Sequence, residues 1–258
     1  MPQRKVHGLR PDLADVRDKH FRTDHLRIGK FRQTIKAMLL PKRVDLRNEK
    51  NPPIYDQGDL GSCTAQATAG MLGHLTNDLG YGVELFSRLF MYGNARSWSR
   101  SDDGAMLRDV IKGVDRYGVP METMWPHDLN RWQDKPPQAV WDAAYHREKI
   151  EYFRLDTLHG MRINLYEGFP FIFGIAVYPS FRSPLPPDYL IPMPGLYESP
   201  EGGHALCMMG YDDDKQAMLF RNSWGDDWGD KGYGWLPYKY VTNPDLLMDA
   251  WTVRSIPE

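Results

Sequence analysis

The stretch Asp56-Gln57-Gly58-Asp59-Leu60-Gly61-Ser62-Cys63-Thr64-Ala65-Gln66-Ala67 constrains this chain more than any other. It begins as a polar, glycine-rich loop and passes directly into small residues that tolerate a helix. From Thr64 to Leu75, the positions Ala65, Thr68, Ala69, Leu72 and Leu75 recur at helical spacing, which predicts a buried, closely packed helix. Ser62 stands where an N-cap would, with Cys63 in the first turn. Unpaired N–H groups and the positive end of the helix dipole favour a thiolate at such a position. A thiol placed there is a candidate nucleophile, and it needs a base and an orienting group from elsewhere in the chain.

At 258 residues, 41% of them hydrophobic and 26% charged, the chain has an ordinary globular composition. That length suits one large domain or two lobes sharing an interface. No run approaches the about 18 apolar residues of a membrane-spanning helix. The basic start, Met1 to Arg10, lacks the apolar core of a secretory signal. Two cysteines, Cys63 and Cys207, make no disulfide framework. If Cys63 is the nucleophile, Cys207 has no partner, and a reducing, cytoplasmic setting is expected.

The net charge of −2 hides an asymmetry. Residues 1–43 carry 12 Lys and Arg against 4 Asp and Glu, which leaves the remainder with 20 basic and 30 acidic residues. A basic arm suits an anionic partner. It equally suits its own acidic body, which is tethered and therefore always at high effective concentration. The second reading is preferred, so no nucleic-acid partner is expected. Within the arm, Pro11–Asp18 suggests a turn, and Thr34–Leu40 an amphipathic helix stopped by Pro41.

The body changes period along its length. Val44–Arg47 predicts a short entering strand. Phe86–Arg96, Asp103–Tyr117 and Pro136–Tyr145 predict helices after the first one. Pro170–Tyr178 is a β-branched and aromatic run that predicts a buried strand, and His204–Tyr211, Ala217–Asn222 and Tyr233–Tyr238 follow as further strands. Helices first and an antiparallel sheet second make an α+β chain with two lobes.

Two distant motifs answer the need of Cys63: Gly202-Gly203-His204-Ala205-Leu206 and Phe220-Arg221-Asn222-Ser223-Trp224-Gly225. With Gln57 six residues before Cys63, the order Gln, Cys, His, Asn and the run Asn-Ser-Trp-Gly-x-x-Trp-Gly-x-x-Gly-Tyr-Gly resemble the papain-like cysteine peptidases. The resemblance covers roughly Val44 to Thr252. Val44–Arg47, Leu60–Thr64 and Trp125-Pro126 are most similar to the disulfide-free prokaryotic branch typified by xylellain. The family's cysteine before Gly61 is absent, which removes a disulfide and no catalytic group. Taken singly, Cys63 reads as a small core residue, His204 as a strand histidine and Asn222 as a turn former; the four in family order outweigh that.

The resemblance implies a two-lobe papain-like fold with its active site in the cleft, a helical lobe over about 58–148 and a sheet lobe over about 149–258 with 44–57. It implies a cysteine endopeptidase with Cys63 as nucleophile, His204 as base and then acid, Asn222 holding the ring, and Gln57 donating to the oxyanion. Gly61, Gly104, Ala105, Met106, Gly203, Trp224 and Leu247 are implied at substrate, with Gly104 pairing its main chain and Ala105, Met106 and Leu247 walling an apolar specificity pocket. A peptide or protein substrate, no cofactor, no metal and a monomer are expected. The rivals are an acyl transferase or deamidase of the same fold, and a peptide binder without catalysis. Residues 1–43 are expected to cover the cleft, anchored by Phe21, Phe31, Met38, Leu39 and Leu40.

Overall fold

The helices-then-sheet division holds in the computed structural model, which describes residues 8–22, 40–49, 51–78, 80, 82, 84–144, 150–182 and 185–255. In chain order come β1 (Arg43–Asp45), α1 (Cys63–Asp78), α2 (Arg88–Ala95), α3 (Leu107–Tyr117) and α4 (Gln138–Ala144). The second half runs β2 (Glu151–Arg154), α5 (Leu158–Tyr166), β3 (Phe171–Val177), α6 (Pro179–Arg182), β4 (Gly202–Asp212), β5 (Ala217–Arg221), β6 (Tyr233–Pro237), α7 (Tyr238–Val241) and β7 (Leu247–Ser255). The first predicted helix starts one residue late, and the other three start two to four residues early, because their leading residues precede the helix. In the arm, a turn forms at Val16 and Arg17, while Thr34–Leu39 lies outside the described residues.

All sheet pairings are antiparallel, in the order β2-β7-β3-β4-β5-β6, with β1 added on β4. The sheet is buried on both faces, which is why β3 reads as a continuous apolar run. Ile172, Ala205, Cys207, Met209, Ala217 and Leu219 face the core shared with α1, α2 and α3. Their neighbours Phe171, Phe173, Leu206, Met208, Met218 and Phe220 face a second core closed by α5, α6 and α7. The strand period of two thus assigns alternate residues to two cores. Among the described residues, no helix is long and apolar enough to cross a membrane.

α5 and β7 escape the sequence reading. Asn164, fully buried on α5, joins them. Its amide nitrogen donates to Phe169 O (2.7 Å) and Thr252 Oγ1 (3.0 Å), and its oxygen accepts from the Arg254 guanidinium (3.1 Å). A buried amide with every bond made is costly to truncate, since its partners stay buried without it. Asn164→Ala is therefore expected to lower unfolding stability by about 1–3 kcal/mol, read as a lower denaturant midpoint at unchanged slope; an unchanged midpoint would refute the role given to this network.

Candidate active site

Cys63 is the first residue of α1 and is fully buried. The loop before it is fastened to the loop after β5. Gln57 N–H donates to Ser223 O (2.9 Å), Gly225 N–H to Tyr55 O (3.0 Å), and the Ser223 hydroxyl to Gln57 Oε1 (2.7 Å). The Gln57 amide nitrogen donates to Leu60 O (3.0 Å). Below this, Arg221 reaches from β5 to the carbonyls of Pro52 (2.6 Å) and Pro53. The Ser62 hydroxyl turns to the side chains of Gln66 (3.1 Å) and His127 (3.3 Å).

His204 comes from β4 and Asn222 from the residue after β5. The two strands pair from Cys207 opposite Arg221 onward, so both residues lie beyond that pairing, at the same end of the sheet. His204 Nε2 lies 2.8 Å from Asn222 Oδ1, which also accepts the Ser223 N–H (2.8 Å). That second donor fixes the amide oxygen, so Nε2 carries the proton. Nδ1 is left buried with no hydrogen-bond partner. The N–H of the next residue, Ala205, donates to the Cys63 sulfur, which brings the helix start and the histidine strand together. Trp224 stacks on the imidazole with centroids 4.8 Å apart, and Phe181 and Trp228 close round Trp224 edge-on.

Burial sets the charge state. It pushes the Cys63 thiol up to about 12, against the backbone N–H groups of Ala205, Thr64 and Cys63. It pushes His204 down to about 4, against its bond to Asn222. Desolvation outweighs the helix terminus, and at neutral pH the site holds a neutral thiol and a neutral imidazole.

The water is kept out by the chain's own arm. Leu9 N–H donates to Gly203 O (3.2 Å), Arg10 N–H to Ala105 O (3.0 Å), and Ala105 N–H to Gly8 O (3.0 Å). A Cβ on Gly8 would stand 2.6 Å from the Cys63 sulfur, so only glycine fits there. The Leu9 side chain presses on Gly174, where a Cβ would stand 2.3 Å from Leu9 Cδ2. The arm's main-chain pairing is made by Ala105, and Gly104, with a φ of 75°, supplies the turn before it. Met106 precedes α3, and Leu247 pairs with Ile175, the residue after Gly174.

Beyond Leu9, every third arm residue turns inward: Leu9, Asp12, Asp15, Asp18 and Phe21 are covered in whole or part, and those between, Lys and Arg included, are exposed. Over residues 9–21 it is thus acids that face the body, while further along the arm Lys42 pairs with Asp214 at 3.0 Å, as expected of basic residues on an acidic body. Asp18 pairs with Arg108 at 2.9 Å, both side chains 7% exposed, and Asp15 approaches Lys112 at 3.7 Å. Asp12 accepts from Trp251 Nε1 (2.7 Å) and Arg108 N–H (3.2 Å), while its own N–H donates to Asp249 (2.8 Å). Burial and then the Asp249 charge push Asp12 up to about 6. Phe21 N–H donates to Arg154 O (2.8 Å), and Leu40 is half-buried; Phe31, Met38 and Leu39 lie outside the described residues.

Sequence reading missed Ser223, Asp102, Phe181 and Trp228 at this site. Ser223 and Trp228 stand inside the Asn-Ser-Trp motif; Phe181 and Asp102 carry no local signal.

Comparisons with known proteins give the family. Residues 193–245, which include His204 and Asn222, match the family described as papain family cysteine protease. A peptidase C1-like protein of Acanthamoeba polyphaga mimivirus is 33% identical over 96% of this chain and 86% of its own length. Mexicain of Jacaratia mexicana is 48% identical over 75% of this chain and 86% of its own. Xylellain, a cysteine protease from Xylella fastidiosa, superposes with a TM-score of 0.85 at 34% identity, over 99% of this chain and 98% of its own. The chain belongs to the papain family of cysteine peptidases and is a hydrolase of that class.

Proposed function

We propose that this protein is an endopeptidase that cleaves extended peptide segments through an acyl-enzyme on Cys63. The observation that carries the reading is the cleft itself, which holds residues 8–10 by main-chain bonds to Ala105 and Gly203, directly over the thiol. In the reaction, His204 takes the thiol proton, the sulfur attacks the peptide carbonyl carbon, and the proton passes to the leaving amine; water then reverses the sequence. Asn222 keeps the imidazole in the tautomer with Nε2 protonated, which leaves Nδ1 to act as base. Gln57 has a second amide hydrogen beyond the one given to Leu60 O, available with the Cys63 N–H for the oxyanion. The Leu9 pocket, beside Ala105 and Gly174, favours substrates with an aliphatic residue before the one that reacts.

The arm occupies this cleft in the unproductive direction. A substrate enters with its pocket residue preceding the residue at Cys63. In the arm the order is opposite, Gly8 at Cys63 and then Leu9 in the pocket, so the arm covers the thiol without presenting a bond for attack.

Three expected outcomes follow from these roles. Cys63→Ala abolishes hydrolysis of peptide substrates with the fold intact, and Gln57→Ala lowers kcat by about 10²–10³; undiminished turnover in purified Cys63→Ala would end the assignment. Trp224→Ala admits water to the imidazole and lifts His204 from about 4 toward its ordinary 6.5, followed by NMR titration of the ring protons. A ring still titrating near 4 would mean that Trp224 does not shield it.

The third concerns pH. Asp12 titrates near 3.8 when free and near 6 when docked, so the docked arm holds the extra proton between those values. The Asp12 contribution to docking is therefore fully present at and below about pH 4 and is lost as pH rises through 6. Deletion up to Leu40, or Leu9→Ala in the full chain, is expected to raise kcat/KM on short peptides, with the largest ratio to the parent at acid pH. Asp12→Asn should flatten that dependence. A ratio of one at every pH would remove the arm as a gate.

A further inference from the structure

We infer that Asp102 is a positioning residue that holds the nucleophile's loop in register with the strand that pairs to substrate. This rests on Cys63 being the nucleophile. Gly61, two residues before Cys63, gives its N–H to both carboxylate oxygens of Asp102, at 3.1 Å each. The Tyr92 hydroxyl, from α2, donates to Oδ1 of the same group. Three residues on from Asp102 is Ala105, whose N–H and carbonyl hold the peptide in the cleft. One carboxylate thus ties the backbone that aims the thiol to the backbone that aligns the peptide.

The tether is itself anchored. Arg96, the C-cap residue of α2 and four residues after Tyr92, lies over the Tyr92 ring at 4.0 Å and donates to the carbonyls of Ser99 (3.0 Å) and Ser101. The loop carrying Asp102 is therefore pinned on one side by Arg96 and on the other by Tyr92 and Gly61. Both cysteines are free, so no disulfide shares this task. Bonds from N–H and O–H to a carboxylate are stronger than neutral ones, which suits a loop with no covalent staple.

A charge here also acts on the chemistry. An anion beside Cys63 opposes its ionisation and is among the influences that raise the thiol. The same anion favours the proton on a neighbouring imidazolium. Tethering and charge are separable, because asparagine keeps one acceptor of the same shape and loses the charge, while alanine loses both.

The test compares Asp102→Asn and Asp102→Ala in the full chain carrying Leu9→Ala, which opens the cleft in the parent and both variants. Cys63 alkylation by iodoacetamide is followed against pH, with Cys63 and Cys207 distinguished by peptide mapping, alongside kcat, KM and melting temperature. For Asp102→Asn the acidic limb of alkylation should move down by about 0.5–1 pH unit and kcat should fall about tenfold. For Asp102→Ala kcat should fall about 10²-fold, as expected for a reacting group displaced by about 1 Å, with KM changed only a few-fold. Should Asp102→Ala fail to fold, Asp102→Asn alone decides. A kcat within twofold of the parent overturns the inference, and so does a lower melting temperature with kcat/KM lost through KM alone, which would make Asp102 a purely structural brace; a lowered kcat with the alkylation limb unmoved supports the tether and removes only the charge effect. Full activity in Cys63→Ala would instead fail the nucleophile assignment, and the alkylation limb would still report on Asp102.

Discussion

The bond from Gln57 N–H to Ser223 O is the joint on which this molecule turns. On one side the chain runs six residues to Cys63 and into α1; on the other it runs one residue back to Asn222 and the sheet. Because Asn222 also holds His204, a single short backbone contact ties the segment that leads to the thiol to the segment that holds the imidazole. The Ser223 hydroxyl on Gln57 Oε1 repeats the link through side chains and fixes which face of the Gln57 amide donates. Two cores pack on either face of the sheet, yet neither core touches this geometry as directly as these two bonds. Packing makes the parts rigid, and hydrogen-bond direction makes them meet.

The arm's adhesion is built differently from a core. Leu9 and Phe21 are apolar, and the three inward residues between them are carboxylates. Removing charges from water is costly, and a pair such as Asp18 with Arg108 gains little over an apolar pair of the same volume. What it supplies is discrimination: a segment slipped by one residue would bring exposed Lys or Arg against Arg108 and Arg154. Asp12 works against the rest, since it sits beside Asp249 and is stabilised by protonation. The arm is thus held by contacts that specify its position and is loosened by one that depends on pH.

The proposed catalytic set stands out in the sequence because its members sit in runs of unusual residues: glycines round His204, and tryptophans and glycines after Asn222. Those glycines and aromatics answer to backbone geometry and shielding, which local sequence records. The mode of arm docking was illegible for a different reason. Counting charge over residues 1–43 hides the period-three pattern of residues 9–21, in which the cations face water and the acids face the body. Only the arrangement in space separates the two sets. α5 was hidden by weak amphipathicity, with Asn164 at its buried face, and β7 by the interruption of its apolar alternation at Asp249 and Arg254. Asp102 and Tyr92 are ten residues apart and meet a loop forty residues away, so no spacing rule announces them.

Cover and chemistry are linked through the solvent. With the arm in place burial raises the thiol and lowers the imidazole, so a thiolate–imidazolium pair under the arm is disfavoured. Admitting water removes the desolvation that dominates both shifts, and the pair becomes accessible as the cleft empties. Thermodynamic reciprocity then requires that anything stabilising the ionised pair also favours departure of the arm. A substrate has such an effect only if it interacts better with the open cleft than with the closed one, and on the proposed reading it does, because arm and substrate would compete for the same bonds at Ala105 and Gly203. Competition for two backbone groups, rather than any movement of the lobes, is sufficient to couple peptide recognition to the ionisation of Cys63.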